Sequence, residues 1–339
     1  MPVALPTHAG PFALGTFARK GDRKGDRRDG GEQGRPFAGL VAGDRVRDLG
    51  DDLGDLTVRG LLEDWGALLP RLQELAATTA GTWLPLADLE ILAPLQPGQV
   101  LQSGANYRQH VVDLVLAEHR ASGDQRPEPE VRAWAEAMMD ERASSGRPYV
   151  FIGLPSAICG PYDDVVLPRR GTKHDWELEL AAVIGRPARH VSPAEAMAHV
   201  AGYTICNDLT TRDRVYRPDL KAIGTDWLEA KNAPTFLPTG PWVVPAAFAG
   251  DPMDLRITLR HNGVVRQDES TKDMIFSIAD LIAYISAIVP LQPGDLVLTG
   301  SPAGNGAHWG TFLADGDVME GAITGLGFQR NRCVAEPEP

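Results

Sequence analysis

Short apolar runs bounded by glycine and proline recur along the chain at 37–41, 46–49, 164–167, 178–184, 202–206, 242–244, 256–260 and 296–299. Runs of this length with such boundaries predict strands. Asn262-Gly263 separates 255–261 from 264–267 and predicts a tight hairpin, because both central positions of that turn need positive φ. Helical spacing is rarer. One helix is expected from Val58, with Thr57 as its cap and Pro70 interrupting it. A second should follow Ser192, where Pro193 and Glu195 complete a capping box, and a third follows Ser277 and carries LIAYISAIV. In PEPEVRAWAEAMMDERA, the residues Val131, Trp134, Ala135, Met138 and Met139 make an apolar stripe at helical spacing. Together these elements predict an α+β chain with a mostly antiparallel sheet. Residues 1–95 read as a smaller N-terminal domain, joined through a Pro-containing connection at 93–98 to a main domain over 96–335.

Composition narrows the partners. The 339 residues are 43% hydrophobic and 23% charged, ordinary for a globular chain with a large core. A net charge of −12 and a pI near 5.1 argue against nucleic acid or an anionic membrane as main partner. Cys159, Cys206 and Cys333 form neither a metal spacing nor an even disulfide framework, which suits a reducing cytoplasm. No apolar run approaches ~18 residues, and the opening residues lack a basic start followed by an apolar core. Neither a membrane span nor an export signal is therefore expected. HExxH, paired CxxC, GxxxxGK[ST] and GxSxG are all missing, which removes the zinc-protease, zinc-ribbon, P-loop and nucleophile-elbow readings. GSPAGNG has no following Lys and reads as a tight turn presenting backbone amides to a small acid. The stretch KGDRKGDRRDGGEQG, with Asp22, Asp26 and Asp29, lacks the spacing of a calcium loop and reads as a solvated loop.

Candidate chemistry concentrates in DWELEL, residues 175–180. Strand alternation puts Asp175, Glu177 and Glu179 on one face and Leu178 and Leu180 on the other. Because the buried-strand pattern AAVIG follows, these acids should enter the interior, where crowded carboxylates repel and a cation removes the penalty. Asp208 follows another apolar run and can close a site with Glu177 and Glu179. Such an all-oxygen set suits Mg2+ or Mn2+, and Ca2+ if the site is looser. Spacing alone leaves open an edge strand carrying three unrelated acids.

The segments SGANYRQH (103–110), DWELELAAVIG (175–185), GYTICNDLTTRD (202–213), KNAPTFLPTGPW (231–242), HNGVVRQ (261–267) and LTGSPAGNG (298–306) extend the pattern. In kind and order they resemble the fumarylacetoacetate hydrolase family over about residues 96–330, and only loosely over 34–50. The resemblance implies that family's rolled sheet and a homodimer. It makes Glu177, Glu179 and Asp208 metal ligands, with Asp175 and Thr235 beside them. His110 becomes the base that activates water, and Asp113 stands where smaller members carry a Glu partner, with Glu118 as a substitute. Lys231 is placed beside metal and substrate oxygens. Arg212, Tyr107 and Ser301 are placed at the substrate, Ser301 standing where the family usually has Thr. Residues 114–147 resemble a helical insertion relative to smaller members, either a lid over the site or a helix packed on the core or a partner subunit. His8, His190, His199, His261 and His308 fall outside this constellation, His119 lies in the segment that can cover the site, and His174 alternates away from the acid face.

The implied activity is metal-dependent hydrolysis of a carbon-carbon bond in a small anionic 1,3-diketo acid of the acylpyruvate or fumarylacetoacetate type. Two alternatives remain: a β-keto acid decarboxylase or keto-enol isomerase on the same site, and a metal-stabilised binding protein without catalysis. Retention of His110 beside an acidic residue favours hydrolysis.

Overall fold

The computed structural model describes residues 7–20, 35–220 and 224–338. The charged stretch at 21–34, apart from its neighbour Lys20, lies outside the described residues, so the solvated-loop expectation falls there. A six-stranded central sheet has the order Val244–Pro245, Val200–Asn207, Leu178–Ile184, Leu296–Leu298, Val100–Gly104, Tyr149–Gly153. A five-stranded sheet has the order Val264–Ser270, Arg256–His261, Val318–Ile323, Gly327–Ala335, Val165–Leu167. Near the N-terminus a third sheet runs Trp83–Pro85, Arg45–Asp48, Phe37–Ala42, Ala13–Arg19, Leu89–Ile91. Most pairings are antiparallel, the parallel ones being those of Leu296–Leu298 with Val100–Gly104, Gly327–Ala335 with Val165–Leu167, and Leu237–Pro238 with Ile158–Cys159.

The strand Leu178–Ile184 shows why the chain stacks in layers. Every one of its residues is buried, as expected for a strand covered on both faces. Leu178, Leu180, Ala182 and Ile184 join the core formed with Ile257, Leu259, Met319 and the helix Ile278–Ile288. Ala181 and Val183 turn the other way and pack with Phe12, Leu14, Leu40, Leu61 and Leu72 of the N-terminal part. A single strand thus serves two cores, and the N-terminal sheet is bound to the main one through buried apolar surface. Burial of a Leu-sized side chain contributes roughly 1.5–3 kcal/mol, so this seam is strong.

Several local expectations meet their elements. Ser277 and Ser192 both form capping boxes. Asn262 and Gly263 have φ of 51° and 78° between the paired strands Arg256–His261 and Val264–Ser270. Others shift. Thr57 caps Val58–Glu63, but the break comes at Asp64, and the next helix, Trp65–Ala77, contains Pro70. The run at 242–244 is ordered only as Val244–Pro245, because Val243 exchanges backbone hydrogen bonds with Leu14 of the N-terminal layer instead.

The region expected as an insertion forms two helices, Arg108–Ser122 and Glu128–Ser145, so position 114 falls inside a helix that begins before His110. Val131, Ala135 and Met139 pack against Val111, Val112 and Leu116 in a small separate core. Trp134, expected in that stripe, is 51% exposed instead, lying under the Arg126 guanidinium. Its position is one step off the buried face, and the stripe is narrower than the sequence suggests. Arg142 anchors the second helix by donating to the Ala105 carbonyl at 2.7 Å. Among the described residues, no helix is long and apolar enough to cross a membrane.

Candidate metal centre

The register of two strands assembles the acids. Leu178 faces Asn207 and Glu179 faces Cys206, so Glu177 and Asp208 stand opposite each other one step beyond the ladder. The Asp208 amide donates to the Glu177 carbonyl at 2.8 Å there. Cross-strand partners and residues two apart share a face, which puts Glu177, Glu179 and Asp208 together. One carboxylate oxygen from each lies within 4.8 Å of the others, and all three residues are buried. Asp175 continues the same face through a short pairing with Thr210.

Two fixed cations enter this acidic floor. Lys231, at the end of the helix Trp227–Lys231, donates to Glu177 Oε2 at 2.7 Å and Asp208 Oδ2 at 2.5 Å. Arg212 forks between Asp175 Oδ2 at 2.8 Å and Glu177 Oε1 at 2.6 Å. Four carboxylates therefore face two cations, leaving two negative charges uncompensated when all the acids are ionised. Their proton affinities record this imbalance. Burial pushes Glu177 towards protonation, but Arg212 and Lys231 outweigh it and hold its carboxyl below the usual range. Glu179 is raised well above that range by burial and by the charges of Asp208 and Glu177. Burial lifts Asp208 to about 6 against the pull of Lys231.

Further donors hold the floor in shape. Gln102 Nε2 donates to Asp208 Oδ1 at 2.5 Å and Thr210 Oγ1 to Glu177 Oε2 at 3.2 Å. The Gly300 amide reaches Glu179 Oε2 at 2.8 Å. Gly300 has φ of 92°, and a Cβ there would lie 3.0 Å from Asn106 Cβ, so the turn needs glycine to bring its amide this close. The Gly300 amide belongs to the GSPAGNG turn expected to present backbone amides to a small acid, whereas Gln102 and Thr210 were not singled out from sequence.

His110 stands at the rim, with Nε2 4.0 Å from Glu177 Oε1. Burial lowers its pKa to about 4 despite the nearby Glu177 charge, so the ring is neutral near pH 7. Asp113 does not orient it. That carboxylate accepts from Gln109 Nε2 at 2.7 Å through Oδ1, and its Oδ2 lies 3.2 Å from His308 Nδ1. The helix Arg108–Ser122 leaves His110 and Asp113 less than one turn apart, but the Asp113 oxygens are taken by Gln109 on the same helix and by His308 on the helix Gly306–Trp309. Glu118, the proposed substitute, is exposed and makes no hydrogen bond or ion pair to His110. His308, expected to lie apart, is thus a member of this neighbourhood.

The remaining expected residues are placed as follows. Asp175 accepts from Arg212 and from the Gly306 and Ala307 amides, tying the turn after GSPAGNG to the acid floor. Thr235, a non-glycine residue with φ of 68°, uses its hydroxyl to accept from the Val166 amide and does not meet the three carboxylates. Ser301 is buried beside Gly300 and accepts from Gln267 Nε2 at 2.9 Å. Tyr107 is fully buried in the main core, immediately before the helix that carries His110. His174 bonds Thr211 Oγ1 at 3.0 Å, away from the acids. A cleft of about 1000 Å3 between the N-terminal sheet and the turn at 158–160 contains none of these residues.

Donor chemistry fits a divalent cation: the three oxygens converge, all are carboxylates, and two charges remain to be balanced. Comparison with known proteins agrees. Residues 99–334 match the fumarylacetoacetate (FAA) hydrolase C-terminal family. A 2,4-didehydro-3-deoxy-L-rhamnonate hydrolase of Sphingomonas sp. (strain SKA58) is 35% identical over 306 residues, 89% of this chain and 93% of that protein. A human mitochondrial oxaloacetate tautomerase is 37% identical over 254 residues, 74% of this chain and 71% of its own length. The maleylpyruvate hydrolase structure from Sphingobium sp. SYK-6, in complex with manganese(II) and pyruvate, aligns with a TM-score of 0.69 at 27% identity, covering 96% of this chain and 100% of that one. By name these relatives are hydrolases and a tautomerase, and the chain belongs to the fumarylacetoacetate hydrolase family.

Proposed function

We propose that this protein is a divalent-metal-dependent hydrolase that cleaves a carbon-carbon bond in a small 1,3-diketo acid of the acylpyruvate or fumarylacetoacetate type. The observation that carries this reading is a neutral, buried His110 at the rim of the Glu177, Glu179 and Asp208 cluster. Those three residues would hold Mg2+ or Mn2+, which supplies Lewis-acid stabilisation for the enolate charge of the reaction. Neutral His110 takes a proton from water, and the resulting hydroxide adds to the carbonyl distant from the carboxyl end. The bond to the central carbon breaks, its electron pair stays with the keto-acid fragment as an enolate, and the proton on His110 is available to quench it. Water and an acylpyruvate thus become a carboxylic acid and pyruvate, and a fumarylacetoacetate-type substrate would give a carboxylic acid and acetoacetate. Lys231 and Arg212, locked by ion pairs, keep Glu177 ionised throughout and cost no reorganisation when charge develops.

A keto-enol isomerase on the same floor is the second reading, and the engagement of Asp113 by Gln109 and His308 rather than by His110 favours it. Proton shuttling to carbon needs a base but no hydroxide. Incubating the Mg2+-loaded protein with acetylpyruvate and following products by proton NMR, beside an EDTA-treated control, separates the two. Metal-dependent acetate and pyruvate support hydrolysis, whereas tautomer exchange without acetate transfers support to the isomerase. The same reading keeps 1–95 as an N-terminal domain packed on the main one, and a homodimer. Ile152 on the edge strand Tyr149–Gly153 and Leu228, each 67% exposed, are apolar surface that a second copy would cover. Light scattering of the purified protein at twice the chain mass is the expected outcome.

A further inference from the structure

His308 is an ionisable side chain near His110 that the mechanism above does not use. Its Nδ1 lies 3.2 Å from Asp113 Oδ2, while Gln109 occupies the other Asp113 oxygen, so the carboxylate is held on both sides. Trp309 meets the imidazole edge to face, with centroids 4.7 Å apart and planes at 85°. The indole is fixed in turn by its donation to the Gly304 carbonyl at 3.1 Å. Asn305 Oδ1 accepts from the His308 amide at 3.0 Å, and Asp175 binds the two preceding amides. The imidazole is therefore oriented by Asp113 and Trp309 and positioned, through Asp175, relative to the acid floor.

This orientation leaves a single usable atom. With Nδ1 directed at Asp113, Nε2 has no hydrogen bond among the described residues, and the side chain is 30% exposed. Held through Nδ1, the neutral ring presents Nε2 as an acceptor for a hydroxyl, and the doubly protonated ring presents it as a donor to a carboxylate. The floor beneath is already filled with carboxylates and their cations, so the keto-acid end of a substrate has its place there. His308 sits on the helix Gly306–Trp309, whose first two amides bind Asp175 beside that floor, so a substrate anchored on the floor by its keto-acid end would extend its other end towards the ring.

Building on the hydrolase reading, we propose that His308, held by Asp113, is a specificity-determining residue whose Nε2 hydrogen-bonds an oxygen on the distal end of the substrate. The site is thereby tuned to keto acids whose tails end in a carboxylate or hydroxyl rather than in a bare alkyl group. Asp113 is the positioning residue: it sets the ring and touches no substrate.

Two ligands of equal chain length isolate this contact, 2-oxoadipate with a carboxylate tail and 2-oxohexanoate with a methyl tail. Their Kd values would be measured by calorimetry on the Mg2+-loaded full chain and on His308→Phe, His308→Gln and Asp113→Asn. The wild type should prefer 2-oxoadipate, and His308→Phe should weaken that ligand by about tenfold to a hundredfold, the range of one hydrogen bond to a charged group. Binding of 2-oxohexanoate should stay within about twofold, on the expectation that the lost bond concerns the tail alone. His308→Gln, which keeps a donor, should recover part of the preference, and Asp113→Asn should lose part of it. A wild type without preference, or equal weakening of both ligands in both His308 variants, overturns the proposal. Because binding is read without turnover, a protein that shows the preference yet cleaves no diketo acid contradicts the hydrolase reading and leaves the His308 assignment standing.

Discussion

The floor of the site and its mouth are built by opposite kinds of geometry. On the floor, Glu177, Glu179 and Asp208 meet because two neighbouring strands run in fixed register, and each acid is already committed by its place in the ladder. At the mouth, Asp113 and His308 meet because two helices pack, and neither residue's own segment announces the other. The floor is closed and electrostatically tight, with Lys231 3% exposed; the mouth keeps His308 partly open. A rigid floor of carboxylates and ion-paired cations suits the chemistry shared by a family, while an open mouth on helices suits what varies between substrates.

The sharpest way to break this contrast is to remove a floor acid. Glu177→Ala leaves Lys231 and Arg212 without their shared partner, so stability should fall by about 3–5 kcal/mol, as for a broken buried ion pair. Diketo acid turnover should fall at least about a thousandfold with it, since the cation's several kcal/mol are lost. Urea unfolding and a product assay read both, and a variant retaining either property would refute the floor assignment. His110→Ala is milder in a specific sense. Hydrolysis should drop by about 10^2 to 10^4, the usual contribution of a general base, while Mn2+ affinity measured by calorimetry stays within about twofold. Equal loss of metal binding would mean that His110 belongs to the floor.

The helix pair gives a test outside the chemistry. Met139→Ala, at 2% exposure in the small core, should destabilise by about 2–5 kcal/mol. Trp134→Ala, half exposed on the same helix, should change stability by less than about 0.5 kcal/mol. Amide exchange across Glu128–Ser145 distinguishes them, and a larger effect at Trp134 would place the packed face elsewhere. The smallest expected effect is at the thiols. Burial pushes Cys206 and Cys333 up to about 12, so neither should react with iodoacetamide at pH 8 unless the chain is unfolded. Rapid labelling of the native protein would show that the interior opens.

How much of this was legible in the sequence follows the same division. Alternation in DWELEL and the apolar runs that carry Glu179 and Asp208 report strands and faces directly, because their period is local. Resemblance then added His110, Lys231 and Arg212 at positions where the structure gathers them round Glu177. Asp113 was expected beside His110 by resemblance, but its two oxygens go to Gln109 and His308 instead, a choice made by packing between helices. His308 was passed over because its partner is set by helix packing, which leaves no spacing to read. Trp134 shared the apolar periodicity of its helix yet stands in solvent beside Arg126, since a helix buries only the width of stripe its neighbour covers.

The central claim is that Glu177, Glu179 and Asp208 together hold one divalent cation. A crystal of the full chain soaked in Mn2+ and measured near the manganese absorption edge tests it with a single map. One anomalous peak within bonding distance of a carboxylate oxygen from each of the three is the predicted result. An empty cluster, or manganese bound only elsewhere on the chain, would contradict the account.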